Sequence, residues 1–256
     1  MKNSRLFRFY FDRNAIIGIV SGLIMIFLSI SMNFFPKNAF MQFVLRDVLM
    51  IFFLGFVFPL CFIVIRCGEN LSVLGIHNKK WKRSLLMNIL FAIALLAMFI
   101  KESSDPVVFN KQSFFAVSYI FAAGIFEMVF IYGFLRYTFE RAFGIIPAVI
   151  LTAAFYSLHH AGFQPEFLKL FWVGLMYVSV FYITRNLLII FPFFWGVGAV
   201  WDVLVNSAAG RLIENAESFV IAIILLICMV IAGVIIFLFT HKKDGCIISH
   251  KKMGGF

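Results

Sequence analysis

Four polar residues lie inside or at the ends of long apolar runs. Glu127 and Asp202 fall well within such runs, His159 closes another, and Asn206 follows Asp202 by four positions, on the same face of a helix. An ionisable group at membrane depth costs on the order of 2.5–3.5 kcal/mol on insertion scales. Hydrolysis needs an activated water and donors for a developing oxyanion. A carboxylate, an imidazole and an amide can supply both, so the four are candidate catalytic residues.

Metal binding is another interpretation of these residue types. Glu127, His159 and Asp202 form an oxygen and nitrogen ligand set, so a divalent metal such as zinc remains an open alternative. The chain contains no H-E-x-x-H motif, and a single imidazole makes a poor zinc site. His160 is adjacent to His159, about 100° round a helix, and is expected to face elsewhere. We therefore expect no cofactor and a metal-free mechanism.

The composition indicates that the surrounding elements are membrane helices. Hydrophobic residues make up 63% of the 256 positions and charged residues 13%, against roughly 45–50% and about 25% in average soluble chains. One water-soluble core of this size could not bury so much apolar surface, whereas lipid solvates it. The chain is therefore predicted to be an all-α, polytopic transmembrane bundle of about eight spanning helices, with the lipid bilayer as a partner.

The apolar runs are about as long as a membrane is thick, since a spanning helix needs ~20 mostly apolar residues. We group them as an N-terminal region of three helices with a basic cytoplasmic loop (1–112), a core of four helices (113–210), and a last helix with a basic tail (211–256). The runs are 15–35, 47–66, 84–101, 114–139, 144–160, 167–184, 187–207 and 218–240.

The lysine and arginine residues predict the orientation. With eight crossings and both termini cytoplasmic, 16 of the 22 fall inside, in the N-terminal segment, around 66–83, near 136–141 and 185, and in the tail. Cytoplasmic loops carry this excess in membrane proteins. The net charge of +10 is thus a topology signal, and no nucleic-acid partner is expected. The predicted location is the cell membrane.

Depth along the helices predicts that three of the polar residues meet. Glu127 lies ~18 Å from the inner end of its run, and His159 and Asp202 each lie ~22 Å from theirs, at 1.5 Å per residue. Taken singly, each residue has a structural alternative: Glu127 could hydrogen-bond between helices, His159 could be interfacial, and Asp202 with Asn206 could clamp two helices. The shared depth favours one buried polar site.

Three motifs carry a family resemblance. "FEMVFIYGFLR" from Phe126, "FYSLHH" from Phe155 and "WDVLVN" from Trp201 resemble the three motifs of the CAAX protease and bacteriocin-processing (CPBP) family of intramembrane proteases. The motifs occur in the family's order and spacing, over roughly 114–210. The resemblance implies that Glu127 and His159 activate water, and that Asp202 and Asn206 polarise the scissile carbonyl.

The chain departs from the family at three positions. Met128 stands where the first motif usually has a second glutamate, Tyr132 where it has an arginine, and Asp202 where the third motif has a histidine. Arg136 is expected to point away from Glu127 and not to replace that arginine. In an apolar site Asp202 could stay protonated and act as a donor.

The predicted function is that of an intramembrane endopeptidase, which cleaves a membrane-presented peptide or membrane protein with a glutamate-activated water. Glu127, His159 and Asn206 favour this enzyme. Met128 and Tyr132 favour the alternative, a non-catalytic membrane binding or bacteriocin-immunity protein with the same fold. A third class, an ion-relaying transporter, would need helix breaks around the site, for which Pro192, Gly196 and Gly198 offer only a hint.

Overall fold

The computed structural model is built of helices, and no strand occurs among the residues that it describes. This confirms the predicted all-α class. The side chains of Asp202, Asn206 and residues 240–253 lie outside this description. The described residues are 6–36, 38–102, 109–160, 165–206 and 213–253.

In the part of the chain that the structure describes, seven of the eight main helices are long and apolar enough to cross a membrane, as expected of a multi-pass membrane protein. The exception is the 15-residue helix Ile145–His159, which is only ~22 Å long at 1.5 Å per residue. In chain order the helices are α1 (Arg13–Met32), α2 (Ala39–Arg66), α3 (Trp81–Lys101), α4 (Lys111–Phe143), α5 (Ile145–His159), α6 (Phe167–Thr184), α7 (Leu187–Val205) and α8, whose apolar part is Ala216–Phe239.

Local sequence signals set several helix ends. The Asp12 and Asn110 side chains accept hydrogen bonds from Ala15 and Ser113 backbone N–H groups and so cap α1 and α4. Such caps satisfy donors that the first helical turn leaves unpaired. Gly144, at φ 88°, lets the chain turn between α4 and α5 in a backbone conformation that side chains disfavour.

The segments predicted to be cytoplasmic meet at one end of the bundle. The Arg8 backbone N–H donates to Phe143 O at 2.8 Å, and the Asn186 side chain donates to His77 O at 2.9 Å. At the same end, Tyr182 on α6 donates to Glu140 on α4 at 2.8 Å. Helix α5 begins at this end and α6 ends at it. The chain must therefore cross the bundle along α5, although α5 is short. Which side of the membrane this end faces stays a prediction.

Helix α1 packs closely on the helices that carry the polar residues. A Cβ at Gly18 would lie 2.5 Å from Thr138 Oγ1, and one at Gly22 would lie 2.4 Å from a ring carbon of Phe155. Two glycines four positions apart are a common way for membrane helices to approach each other. Further along α1, the Ser29 hydroxyl donates to the backbone carbonyl of His159. The first helix therefore supports the end of α5.

Candidate functional site

Glu127 lies where α4 changes its winding. The helix is α-helical over Lys111–Phe126 and π-helical over Glu127–Leu135. In an α-helix, Tyr132 would be turned about 140° away from Glu127. The wider turn that comes with i→i+5 pairing reduces this angle.

Trp195 on α7 orients the Glu127 carboxylate. Its indole Nε1–H donates to Glu127 Oε2 at 3.0 Å, and Glu127 is only 12% exposed. Gly124, one turn before Glu127, makes room for this indole, because a Cβ there would lie 2.0 Å from Trp195 Cη2. The hydrogen bond leaves the second oxygen, Oε1, facing α5.

His159 presents its imidazole to that oxygen. His159 Nε2 lies 3.5 Å from Glu127 Oε1, and the side chain is 5% exposed. Its Nδ1 is within hydrogen-bonding distance of the Tyr156 carbonyl. A carbonyl only accepts hydrogen bonds, so Nδ1 carries the proton and Nε2 faces the carboxylate. The ring also packs edge-on against Phe126, with centroids 5.4 Å apart, which fixes its orientation.

The prediction that His160 faces elsewhere is wrong. His160 Nε2 lies 3.9 Å from Glu127 Oε1, and the two histidine ring centroids are 3.9 Å apart. The prediction assumed that the helix continues through residue 160. In the structure α5 ends at His159, and His160 has φ −81° and ψ 48°, outside the helical region. The 100° offset therefore does not apply.

The second imidazole also overturns the argument that the site offers only one. Glu127, His159 and His160 each present a possible metal-ligand atom, and these atoms lie within 4.8 Å of one another. Two imidazole nitrogens and a carboxylate oxygen form the ligand set of many catalytic zinc sites. The expectation of a metal-free mechanism thus loses one of its two reasons, and the missing H-E-x-x-H motif is the other.

The structure does not describe the Asp202 and Asn206 side chains. Their backbones lie in the π-helical segment Asp202–Asn206 at the end of α7, and this segment packs against the first half of α4. The structure therefore brings together two of the four predicted residues, Glu127 and His159. That Asp202 and Asn206 join them stays a prediction.

Two of the three residues that differ from the family motifs are deeply buried. Met128 is 3% exposed and Tyr132 is 1% exposed, and the Tyr132 hydroxyl has no hydrogen-bond partner among the described residues. As expected, Arg136 is engaged away from Glu127. Its guanidinium donates to Glu140 at 2.8 Å and to the Val73 carbonyl at 2.7 Å.

Three residues that contact Glu127 or His159 were not selected from the sequence as candidate site residues. Trp195 offers a signal, because an indole N–H inside an apolar helix needs an acceptor. Ser29 belongs to the small-residue face that Gly18 and Gly22 begin. The only sequence signal for His160 is its position next to His159 at the end of an apolar run.

A known protein family is similar to this part of the chain. Residues 109–203 match the sequence profile of a family described as Rce1-like, type II CAAX prenyl endopeptidase Rce1-like. No curated protein and no solved structure matches the chain significantly. The matched residues include all of α4, α5 and α6, and they end within the last turns of α7. The predicted resemblance is confirmed: the segment that carries Glu127 and His159 matches the model of the Rce1-like family of type II CAAX prenyl endopeptidases.

Proposed function

We propose that this protein is an intramembrane endopeptidase of the CAAX-protease type, which hydrolyses a peptide bond in a peptide or protein presented at the membrane. The observation that carries the proposal is the pair formed by Glu127 and His159, 3.5 Å apart and largely buried between helices. The family match over residues 109–203 supports protease activity. It does not favour the alternative of a non-catalytic binding or immunity protein.

In the proposed mechanism, one water contacts both members of the pair. Hydrogen bonds of about 2.8 Å from one water can reach both Glu127 Oε1 and His159 Nε2, since these atoms are 3.5 Å apart. Both atoms accept, so the water donates to each and keeps its lone pairs for attack. Glu127 then acts as the general base, and His159 holds the water.

The atoms of the reaction balance without a further reactant. The water oxygen bonds to the scissile carbonyl carbon as its proton passes to Glu127 Oε1. The carbon–nitrogen bond then breaks, and the amine leaving group takes that proton from Glu127. Trp195 holds Oε2 through its N–H, so Oε1 stays directed at the water. Such positioning lowers the barrier because the reacting groups need not be ordered in each cycle.

The developing oxyanion needs hydrogen-bond donors. The family resemblance assigns this role to Asn206 and to Asp202, which can donate only if it is protonated. Tyr132 is a further donor, because its buried hydroxyl has no partner among the described residues and it lies in the same π-helical segment as Glu127. A buried hydroxyl without a partner costs about 1–3 kcal/mol, which a substrate oxygen would recover.

The direct test is cleavage of a membrane-presented peptide by purified protein in lipid nanodiscs. Glu127→Gln keeps the shape of the side chain and its bond to Trp195 but removes the base, and loss of a general base costs roughly 10²–10⁴-fold in rate. Glu166→Gln is the matched control, since Glu166 is 60% exposed in a surface pair with Lys169, and it should retain full activity. Equal activity of the parent and Glu127→Gln would refute the proposal.

His159→Ala gives a second arm of the same test. It should lose most activity while the protein stays inserted and folded, as judged by its thermal unfolding. If Glu127→Gln and His159→Ala lower only the unfolding temperature, and activity per folded molecule is unchanged, the pair is an interhelical clamp and has no catalytic role.

A further inference from the structure

Helix α5 ends at His159, and its last backbone carbonyls take hydrogen bonds from groups outside the regular helix pattern. The last four carbonyls of a helix have no partner within it. The Tyr156 carbonyl accepts from the His159 ring, and the Ser157 carbonyl accepts from the His160 backbone N–H at 3.2 Å. The His159 carbonyl accepts from the Ser29 hydroxyl of α1. One donor at this helix end therefore belongs to a different helix.

Ser29 reaches α5 because α1 packs closely through one face of small residues. Gly18 contacts Thr138 on α4, and Gly22 contacts Phe155 on α5, each too closely to admit a Cβ. Ser29 follows Gly22 by seven positions, which is about two turns further along the same face. The backbones of α1 and α5 are therefore near enough for a short hydroxyl side chain to bridge them. Ser29 is 4% exposed, so its bond to α5 is shielded from water.

We propose that Ser29 is a positioning residue for the Glu127 and His159 pair, a role whose catalytic part rests on the proposed function. Its hydroxyl holds the backbone at the end of α5, from which the His159 imidazole reaches to 3.5 Å from Glu127 Oε1. The His159 ring is tied to that backbone, because Nδ1 bonds to the Tyr156 carbonyl one turn earlier. Movement of this backbone therefore carries Nε2 away from the carboxylate. Ser29 itself touches no reacting atom and acts through His159.

Three variants test the hydroxyl by kinetics in lipid nanodiscs. Ser29→Ala removes only the hydroxyl, and kcat per folded molecule should fall roughly 10–10²-fold with KM nearly unchanged, because small misplacements of catalytic groups have effects of this size. Ser29→Thr keeps a hydroxyl at the same position and should retain most of the activity. Ser21→Ala is the matched control and should keep the parent kcat. Ser21 is as buried as Ser29 and lies on the same helix, but its hydroxyl donates to the Gly18 carbonyl within α1 at 3.0 Å.

The position of the His159 ring is measured without any peptide cleavage. NMR of protein with ¹⁵N-labelled histidine in nanodiscs gives ring-nitrogen signals, and His159→Ala identifies the signal of His159. Ser29→Ala should shift or split this signal, because the ring loses its fixed place beside Glu127. Ser29→Thr and Ser21→Ala should both keep the parent signal.

The two measurements separate this role from the peptidase function. An unchanged His159 signal in folded Ser29→Ala overturns the positioning role, whatever its activity. Where the parent cleaves peptide, a parent kcat in Ser29→Ala also overturns it, and so does a Ser29→Thr variant as impaired as Ser29→Ala, because packing and not the hydroxyl would then be responsible. If the parent cleaves no peptide but Ser29→Ala shifts the His159 signal, Ser29 positions the ring and the proposed peptidase function fails.

Discussion

Replacing Gly124 with alanine tests how Trp195 positions Glu127. The new Cβ would lie 2.0 Å from Trp195 Cη2 and 2.6 Å from Cζ2. To restore ordinary contact at 3.4 Å, the indole must retreat by roughly 1.4 Å. The Trp195 to Glu127 hydrogen bond spans 3.0 Å, so a retreat of that size breaks it. The substitution therefore separates the carboxylate from its orienting donor without altering either residue.

Two effects should follow, with different magnitudes. Overpacking a well-packed interior costs about 1–3 kcal/mol, so the free energy of unfolding should fall by that amount in a denaturant titration. Activity per folded molecule should fall about 10²-fold, because small misplacements of catalytic groups cost that much. The expected signature is a lower kcat with a nearly unchanged KM, since the peptide itself is not contacted by the indole.

A matched glycine and a double variant make this prediction refutable. A Cβ at Gly233, in α8, would lie 3.8 Å from Phe56, so Gly233→Ala should leave stability and activity unchanged. Adding Trp195→Phe to Gly124→Ala removes the atoms that clash, so the stability should recover while the activity stays low. If Gly124→Ala keeps parent activity, or the double variant regains it, the indole does not position Glu127.

Three further predictions concern topology and the oxyanion donors. Reporter fusions near Lys80 and after Lys252 should report a cytoplasmic location and one near Asp105 an external location; any reversal refutes the charge assignment. Asp202→Asn and Asp202→His should keep appreciable peptidase activity, whereas Asp202→Ala should lose it. If Asp202→Asn is inactive and no better than Asp202→Ala, the charged carboxylate is required. Tyr132→Phe should lower kcat roughly 10²–10³-fold without lowering the free energy of unfolding, because it removes a buried hydroxyl that lacks a partner; unchanged kcat excludes Tyr132 as a donor.

Much of the architecture is determined by the sequence itself. Whether a segment crosses a membrane depends on the length and polarity of one continuous run, a property that needs no knowledge of neighbouring helices. The eight runs accordingly correspond to eight helices, including the short one that ends at His159. Glu127 and His159 could be selected for the same reason, since polar groups within apolar runs are costly and stand out.

Only the tertiary structure decides what surrounds those two residues. His160 reaches Glu127 because α5 stops at His159, and helix ends are set by a residue or two of local geometry. Trp195 reaches the carboxylate because Gly124, 71 positions earlier in the chain, leaves the space for it. Contacts of this kind depend on the register and close packing of separate helices. Hydropathy and motif spacing describe each helix alone, so neither contains that information.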